Sequence, residues 1–126
     1  MIVGVGTDIV EVERVAHALE RHAGAFEAKV FTVAERRIAE RKRKGTEQYF
    51  AGRWAAKEAI AKVLGTGFGS ECGWLDVEIL NDERGRPIVT MSGNGAEYAE
   101  RLGINTWHLS ISHERNYACA VAVAED

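Results

Sequence analysis

The stretch Trp54-Ala-Ala-Lys-Glu-Ala-Ile-Ala-Lys62 constrains this chain more than any other. It sets one carboxylate and two ammonium groups among small apolar residues at helical spacing. The pattern predicts a helix from about Thr46 to Leu64, with Gly65 as its left-handed terminator. Glu58 and Lys62 are four apart and so lie one turn apart, while Arg53 and Lys57 form a second such pair on an adjacent stripe. On a solvated face an ion pair such as Glu58–Lys62 contributes only about 0.2–0.5 kcal/mol. An acid beside a base on a largely apolar helix has a second use, which is to bind a metal together with a phosphorylated ligand.

The flanking sequence sets the fold class. Ile2–Val5 is a β-branched run ended by Gly6, the mark of a short buried strand. A helix is expected from about Ile9, with Ile9, Val12, Ala16 and Leu19 at helical spacing and Asp8-x-x-Glu11 as a capping box. Thr32-Val-Ala-Glu35 is a second capping box, opening a helix expected to stop near Gly45. Past the glycine-rich loop Gly65–Gly69, Leu75, Val77 and Ile79 alternate with Asp76 and Glu78 as in a half-exposed strand. A turn over Asn81–Pro87, a strand over Ile88–Met91 and a short helix around Gly95–Leu102 follow. Thr106–His113 and Tyr117–Ala124 read as a final antiparallel pair. Helices gather in the first half and strands in the second, which predicts an α+β fold with helices packed on an antiparallel sheet.

Length and charge narrow the class. With 126 residues the chain is expected to form a single domain over 1–126, burying about two thirds of its unfolded surface. A hydrophobic fraction of 46% and a charged fraction of 28% are those of a globular protein, and no apolar run reaches the roughly 20 residues of a membrane span. The start, Met1 to Asp8, lacks the basic segment of a signal peptide. Cys72 and Cys119 have no zinc-like spacing and read as reduced thiols, implying a cytoplasmic protein. A net charge of −3 argues against a general nucleic-acid binder. The basic run Arg36–Lys44 suits a helix end, where cations favour the dipole.

Four constellations carry chemistry. Asp8 is either a helix cap or a carboxylate pointed into a cleft, and both can hold because it has two oxygens. With Glu58 it supplies the one or two carboxylates that magnesium takes before phosphate oxygens and water complete its shell. Lys62 could meet a phosphate oxygen as a point charge. The Gly65-Thr66-Gly67 loop allows close backbone approach but lacks the Walker spacing of a nucleoside-triphosphate loop. In His108-Leu-Ser-Ile-Ser-His113, strand parity puts His108, Ser110 and Ser112 on one face and Leu109, Ile111 and His113 on the other. Neither serine has the geometry of a hydrolase triad. Arg14 and Arg21, two turns apart on the first helix with His17 and His22 nearby, are either solvated surface or a docking face for an acidic partner helix.

In this order (Gly-x-Asp after a first strand, Trp54-x-x-Lys-Glu-x-x-x-Lys62, and Ser110-x-Ser-His113 near the end) the motifs strongly resemble the holo-acyl-carrier-protein synthases. These are the small bacterial 4′-phosphopantetheinyl transferases, and the likeness runs from Gly4 to Ala124. It implies transfer of 4′-phosphopantetheine from coenzyme A to a serine hydroxyl of apo-acyl carrier protein, releasing adenosine 3′,5′-bisphosphate. By the same resemblance Asp8 and Glu58 would hold magnesium on the coenzyme A pyrophosphate, with water as any further ligand. Lys62 would contact the phosphates, and Gly65, Thr66 and Gly67 with Arg53 would help seat the nucleotide. His108 and His113 match histidines near the adenosine 3′-phosphate end, and Arg14 and Arg21 fall on the helix that meets the carrier. The resemblance further implies a homotrimer with sites at subunit interfaces. Phosphoryl-type transfer needs charge neutralisation and positioning above all, and Glu58, directly or through a water on the ion, is the expected base.

Two other functions compete. A non-catalytic carrier-docking module would use Arg14 and Arg21 but leave Asp8, Glu58 and Lys62 idle. A magnesium-dependent nucleotide hydrolase would turn over coenzyme A with no carrier present.

Overall fold

Strand β1 spans Ile2–Glu11 and alternates along its length. Gly4, Gly6, Asp8 and Val10 point to one face; Val3, Val5, Thr7 and Ile9 point to the other. It pairs antiparallel with β5 (Tyr117–Glu125), which pairs in turn with β4 (Thr106–His113), giving the order β1-β5-β4. Register puts Asp8 opposite Ala120, and Ala120 opposite Ile111. The computed structural model that defines this fold describes residues 1–22 and 24–126.

The inner face of this sheet is built from small residues because a helix lies directly on it. Helix α4 (Thr46–Leu64) has twelve of its 19 residues buried, so it is enclosed on nearly every side and has no single apolar stripe. A methyl group added at Gly6 would lie 2.0 Å from the Ala59 carbonyl oxygen, and one at Gly52 would lie 3.0 Å from Ile111 Cγ2. Ala118, Ala120, Ala122 and Ala124 of β5 are buried beneath the helix. Gly65, at φ 77°, ends α4 in the left-handed conformation that favours glycine, and its N–H donates to the Ala61 carbonyl.

Helices α1 (Val12–Arg21), α2 (Ala25–Val30) and α3 (Val33–Glu40) lead from β1 into α4. Thr32 and Glu35 form the predicted capping box at α3. After α4 a single 3-10 turn over Trp74–Asp76 enters the two-stranded hairpin β2 (Val77–Asn81) and β3 (Pro87–Met91); α5 (Gly93–Arg101) then leads to β4. Phe31, Phe50 and Tyr49 cluster in the core, with the Phe31 and Phe50 ring centroids 4.7 Å apart. No helix among the described residues is long and apolar enough to cross a membrane.

The α+β class and the packing of helices on antiparallel strands match the prediction, and several local expectations are corrected. The first strand does not end at Gly6, and the first helix starts at Val12, not near Ile9. Asp8 and Glu11 therefore form no capping box: Asp8 lies inside β1, and Glu11 precedes α1 without a side-chain cap bond. Gly6 is required by the crowding against α4, not by a turn. The strand Ile2–Val5 is not buried either, since Ile2, Val3 and Val5 are exposed. Helix α3 stops at Glu40, and Gly45 instead opens α4 at φ 79°. Leu75 sits in the 3-10 turn and is exposed.

Candidate active site

The close contact of β1 with α4 brings Asp8 to the last turns of that helix. Lys62 Nζ donates to Asp8 Oδ1 at 3.0 Å and to the Thr7 carbonyl at 2.8 Å. The acidic partner of Lys62 is thus Asp8, 54 residues away, and not the Glu58 one turn back that sequence spacing suggested. Asp8 Oδ2 is buried with no protein partner. A buried carboxylate oxygen left unbonded is unfavourable unless something else fills its coordination. Glu58 is half-buried beside this group. Burial pushes its carboxyl above the ordinary value, repulsion from Asp8 adds to the rise, and Lys62 opposes it.

Two carboxylates with one unsatisfied oxygen fit a hard divalent cation. Magnesium uses one or two protein carboxylates and leaves its other positions to water and phosphate. The described residues hold no group of three or more His, Cys, Asp or Glu able to bind a metal by themselves.

The glycine-rich loop starts one turn beyond Lys62. Gly65 and Gly67 both have positive φ, and Thr66 Oγ1 donates to the Gly67 carbonyl at 2.6 Å. Because the loop follows the C-terminus of α4, the helix presents carbonyl oxygens here, and the positive charge comes from Lys62. Phe68 stacks on Trp74 with centroids 3.8 Å apart, which fixes the loop against the rest of the chain.

The remaining predicted residues stand apart from this cluster. Arg53 lies nine residues before Lys62, about 13 Å along the helix axis. It is 6% exposed, donates to Asn81 Oδ1 at 3.0 Å and covers the Tyr49 ring. Its Nε is buried and has no partner. Asn81 also borders an open cavity of about 720 Å³ lined by Asp82, Glu83, Arg84 and Arg86. His108 faces outward from the sheet and contacts Glu125 Oε1 at 2.5 Å. His113 is exposed at the end of β4. Neither histidine joins Asp8 and Glu58 within one chain. Arg14 and Arg21 are exposed on α1.

One pair escaped the sequence. Lys57, expected on a stripe with Arg53, is fully buried and pairs with the equally buried Glu35 at 2.8 Å. Glu35 was legible only as a helix cap, and nothing in the spacing of the two residues, 22 apart, marks them as partners.

The chain belongs to the 4′-phosphopantetheinyl transferase superfamily, whose pattern it matches over residues 4–122. Within that class it is a phosphopantetheinyl transferase of the holo-[acyl-carrier-protein] synthase type. It is 48% identical to the synthase of Desulforudis audaxviator over 124 residues, covering 98% of this chain and 93% of that one. The crystal structure of the Neisseria meningitidis synthase superposes with a TM-score of 0.92 at 33% identity, covering all of both chains. The Helicobacter pylori synthase, solved in complex with coenzyme A, superposes with a TM-score of 0.84 at 30% identity over 96% of this chain and 99% of that one.

Proposed function

We propose that Asp8, Glu58 and Lys62 form the reacting site at which this enzyme moves 4′-phosphopantetheine from coenzyme A to a serine hydroxyl of apo-acyl carrier protein. The observation that carries this assignment is the unpartnered, buried Oδ2 of Asp8, set beside Lys62 and the raised carboxyl of Glu58. Asp8 and Glu58 would hold magnesium, which when bound would neutralise charge on the coenzyme's pyrophosphate. Lys62, whose ammonium is exposed, turns from Asp8 to a phosphate oxygen as the pyrophosphate arrives and so keeps an anionic partner throughout. Glu58 takes the proton of the carrier's serine as its oxygen bonds to phosphorus. The bond to the adenosine 3′,5′-bisphosphate breaks, and that product leaves with the electron pair.

The other assignments extend this reading across the whole chain, acting as one transferase domain. Gly65, Thr66 and Gly67 let the backbone approach the nucleotide, and Arg53, with a spare buried N–H, helps hold it. The exposed outer face of the sheet, with Val3, Val5, Ile9, Tyr117 and Val121, supports a homotrimer. In it His108 and His113 of one copy serve the 3′-phosphate end of a coenzyme bound mainly by its neighbour. Arg14 and Arg21 receive the acidic carrier. The two unpaired cysteines suit a cytoplasmic enzyme.

Incubating the enzyme with coenzyme A, magnesium and apo-carrier tests the reaction. The carrier should gain the mass of one phosphopantetheine. A carrier of unchanged mass, or bisphosphate released from coenzyme A with no carrier present, would overturn it.

A further inference from the structure

The Lys57 ammonium is saturated. It donates to the Val30 carbonyl at 2.8 Å and to the Trp74 carbonyl at 3.1 Å, and it meets Glu35 Oε1 at 2.8 Å. Glu35 is saturated too: Oε1 accepts the Thr32 N–H and Oε2 accepts the Ile79 N–H, both at 2.8 Å. One buried pair therefore ties α4 to the end of α2, the start of α3, the 3-10 turn and β2. Burial pushes the Lys57 ammonium below its ordinary value, and Glu35 opposes that. Removing two charges from water costs enough that well-packed apolar residues of equal volume often stabilise a fold as well or better. The attraction between the two charges is thus a weak reason for this pair.

Its position in the chain suggests another role. Lys57 directly precedes Glu58, and α4 is pressed from the opposite side by β1, where Gly6 meets Ala59. Held on both sides, the helix cannot turn about its own axis. A rotation of about 10° would carry a side-chain tip, roughly 6 Å from the axis, through about 1 Å. A misplacement of that size is enough to reduce a rate about 100-fold. The same ammonium grips the Trp74 carbonyl, and the Trp74 ring stacks on Phe68 of the glycine-rich loop at an interplanar angle of 18°. Helix and loop are thus fixed from one point.

We infer that the buried Lys57–Glu35 pair is a positioning device for transfer: it sets the rotation of α4 that aims Glu58 and Lys62 at Asp8 and, through Trp74, seats the Gly65–Gly69 loop. The inference rests on the assignment of the reacting site to Asp8, Glu58 and Lys62. Neither Lys57 nor Glu35 touches the substrate; both act through their neighbours.

The test is the double variant Lys57→Met/Glu35→Met, which removes both charges while keeping the volume. It should fold with a Tm below that of the wild type, because the Val30 and Trp74 carbonyls and the Thr32 and Ile79 N–H groups lose their buried partners. Its kcat should fall at least 10-fold, with KM for the carrier protein within twofold. Phe68→Ala, which cuts the link to the loop, should lower the Tm through lost packing and raise KM for coenzyme A, and an unchanged KM would overturn the link. A folded double variant with the wild-type kcat would overturn the inference. Should the double variant not fold, Glu35→Gln decides on the same kcat and KM criteria, and failure of both to fold would make the pair purely structural and refute the inference as well. Glu58→Gln is assayed in parallel. If Glu58→Gln is fully active, the site assignment itself has failed; if it is inactive while the double variant is active, only the positioning role has failed.

Discussion

Gly6→Ala probes how the site is assembled. The new methyl group would start 2.0 Å from the Ala59 carbonyl oxygen, and real contacts of this kind do not fall below 3.0 Å. The obstacle is helix backbone, which cannot swing aside, so β1 and α4 must separate by about 1 Å. Overpacking of this kind costs about 1–3 kcal/mol, which for a domain of this size lowers Tm by roughly 3–15 °C. Gly6 is two residues from Asp8 and Ala59 adjoins Glu58, so the separation passes into the reacting site. There a shift of about 1 Å lowers kcat about 100-fold. Thermal unfolding followed by circular dichroism gives the first number, and mass-spectrometric carrier loading well below the variant's Tm gives the second. Gly4→Ala is the control, because its methyl group would meet the Val63 side chain at 3.1 Å, and a side chain can give way. A Gly6→Ala enzyme with unchanged Tm and kcat would refute the idea that this contact sets the distance between the two acids.

Glu58→Gln should abolish transfer yet raise Tm at neutral pH in metal-free buffer. The raised carboxyl of Glu58 means the folded protein binds that proton more tightly than the unfolded chain does. Its ionisation therefore subtracts stability as pH rises past the unfolded value of about 4.3, and the gain from Gln should vanish below that pH; a Tm difference that grows on acidification would contradict the shift. Magnesium should raise the Tm of the wild type and not of Glu58→Gln, since only a protein that binds the ion is stabilised by mass action. Lys62→Ala should lower kcat/KM for coenzyme A by about 100-fold; equal kinetics would remove Lys62 from the site. Val5→Lys should convert the proposed trimer of 13.9 kDa chains into monomers by light scattering, and a wild type that is already monomeric would refute the use proposed for the sheet's outer face.

What the sequence revealed follows the range of the forces involved. Helix α4 and the β4–β5 pair were legible because their signals are local: Gly65 as terminator, and the alternation from His108 to His113. The capping box at Thr32 was legible for the same reason. Asp8 was recognised as a candidate acid but placed on the wrong element. Gly6 reads as a strand end when its neighbours in sequence are all that is known, whereas its small size answers to Ala59, 53 positions on. Lys57 looked like a surface cation because its i, i−4 neighbour is Arg53; its true partner lies on α3. Helix α2 has six residues and no side-chain cap, too little for a periodic signal. The outward-facing Val3, Val5 and Ile9 read as core because apolar residues on β1 do not say which surface covers them.

Binding of manganese, used as a paramagnetic stand-in for magnesium, tests the central claim most directly. Titrated with manganese in the presence of coenzyme A and followed by electron paramagnetic resonance, the wild-type enzyme should bind one ion per chain. Asp8→Asn and Glu58→Gln should each weaken that binding at least 10-fold while keeping the wild-type circular dichroism spectrum. Undiminished binding in both folded variants would contradict an ion held between these two carboxylates.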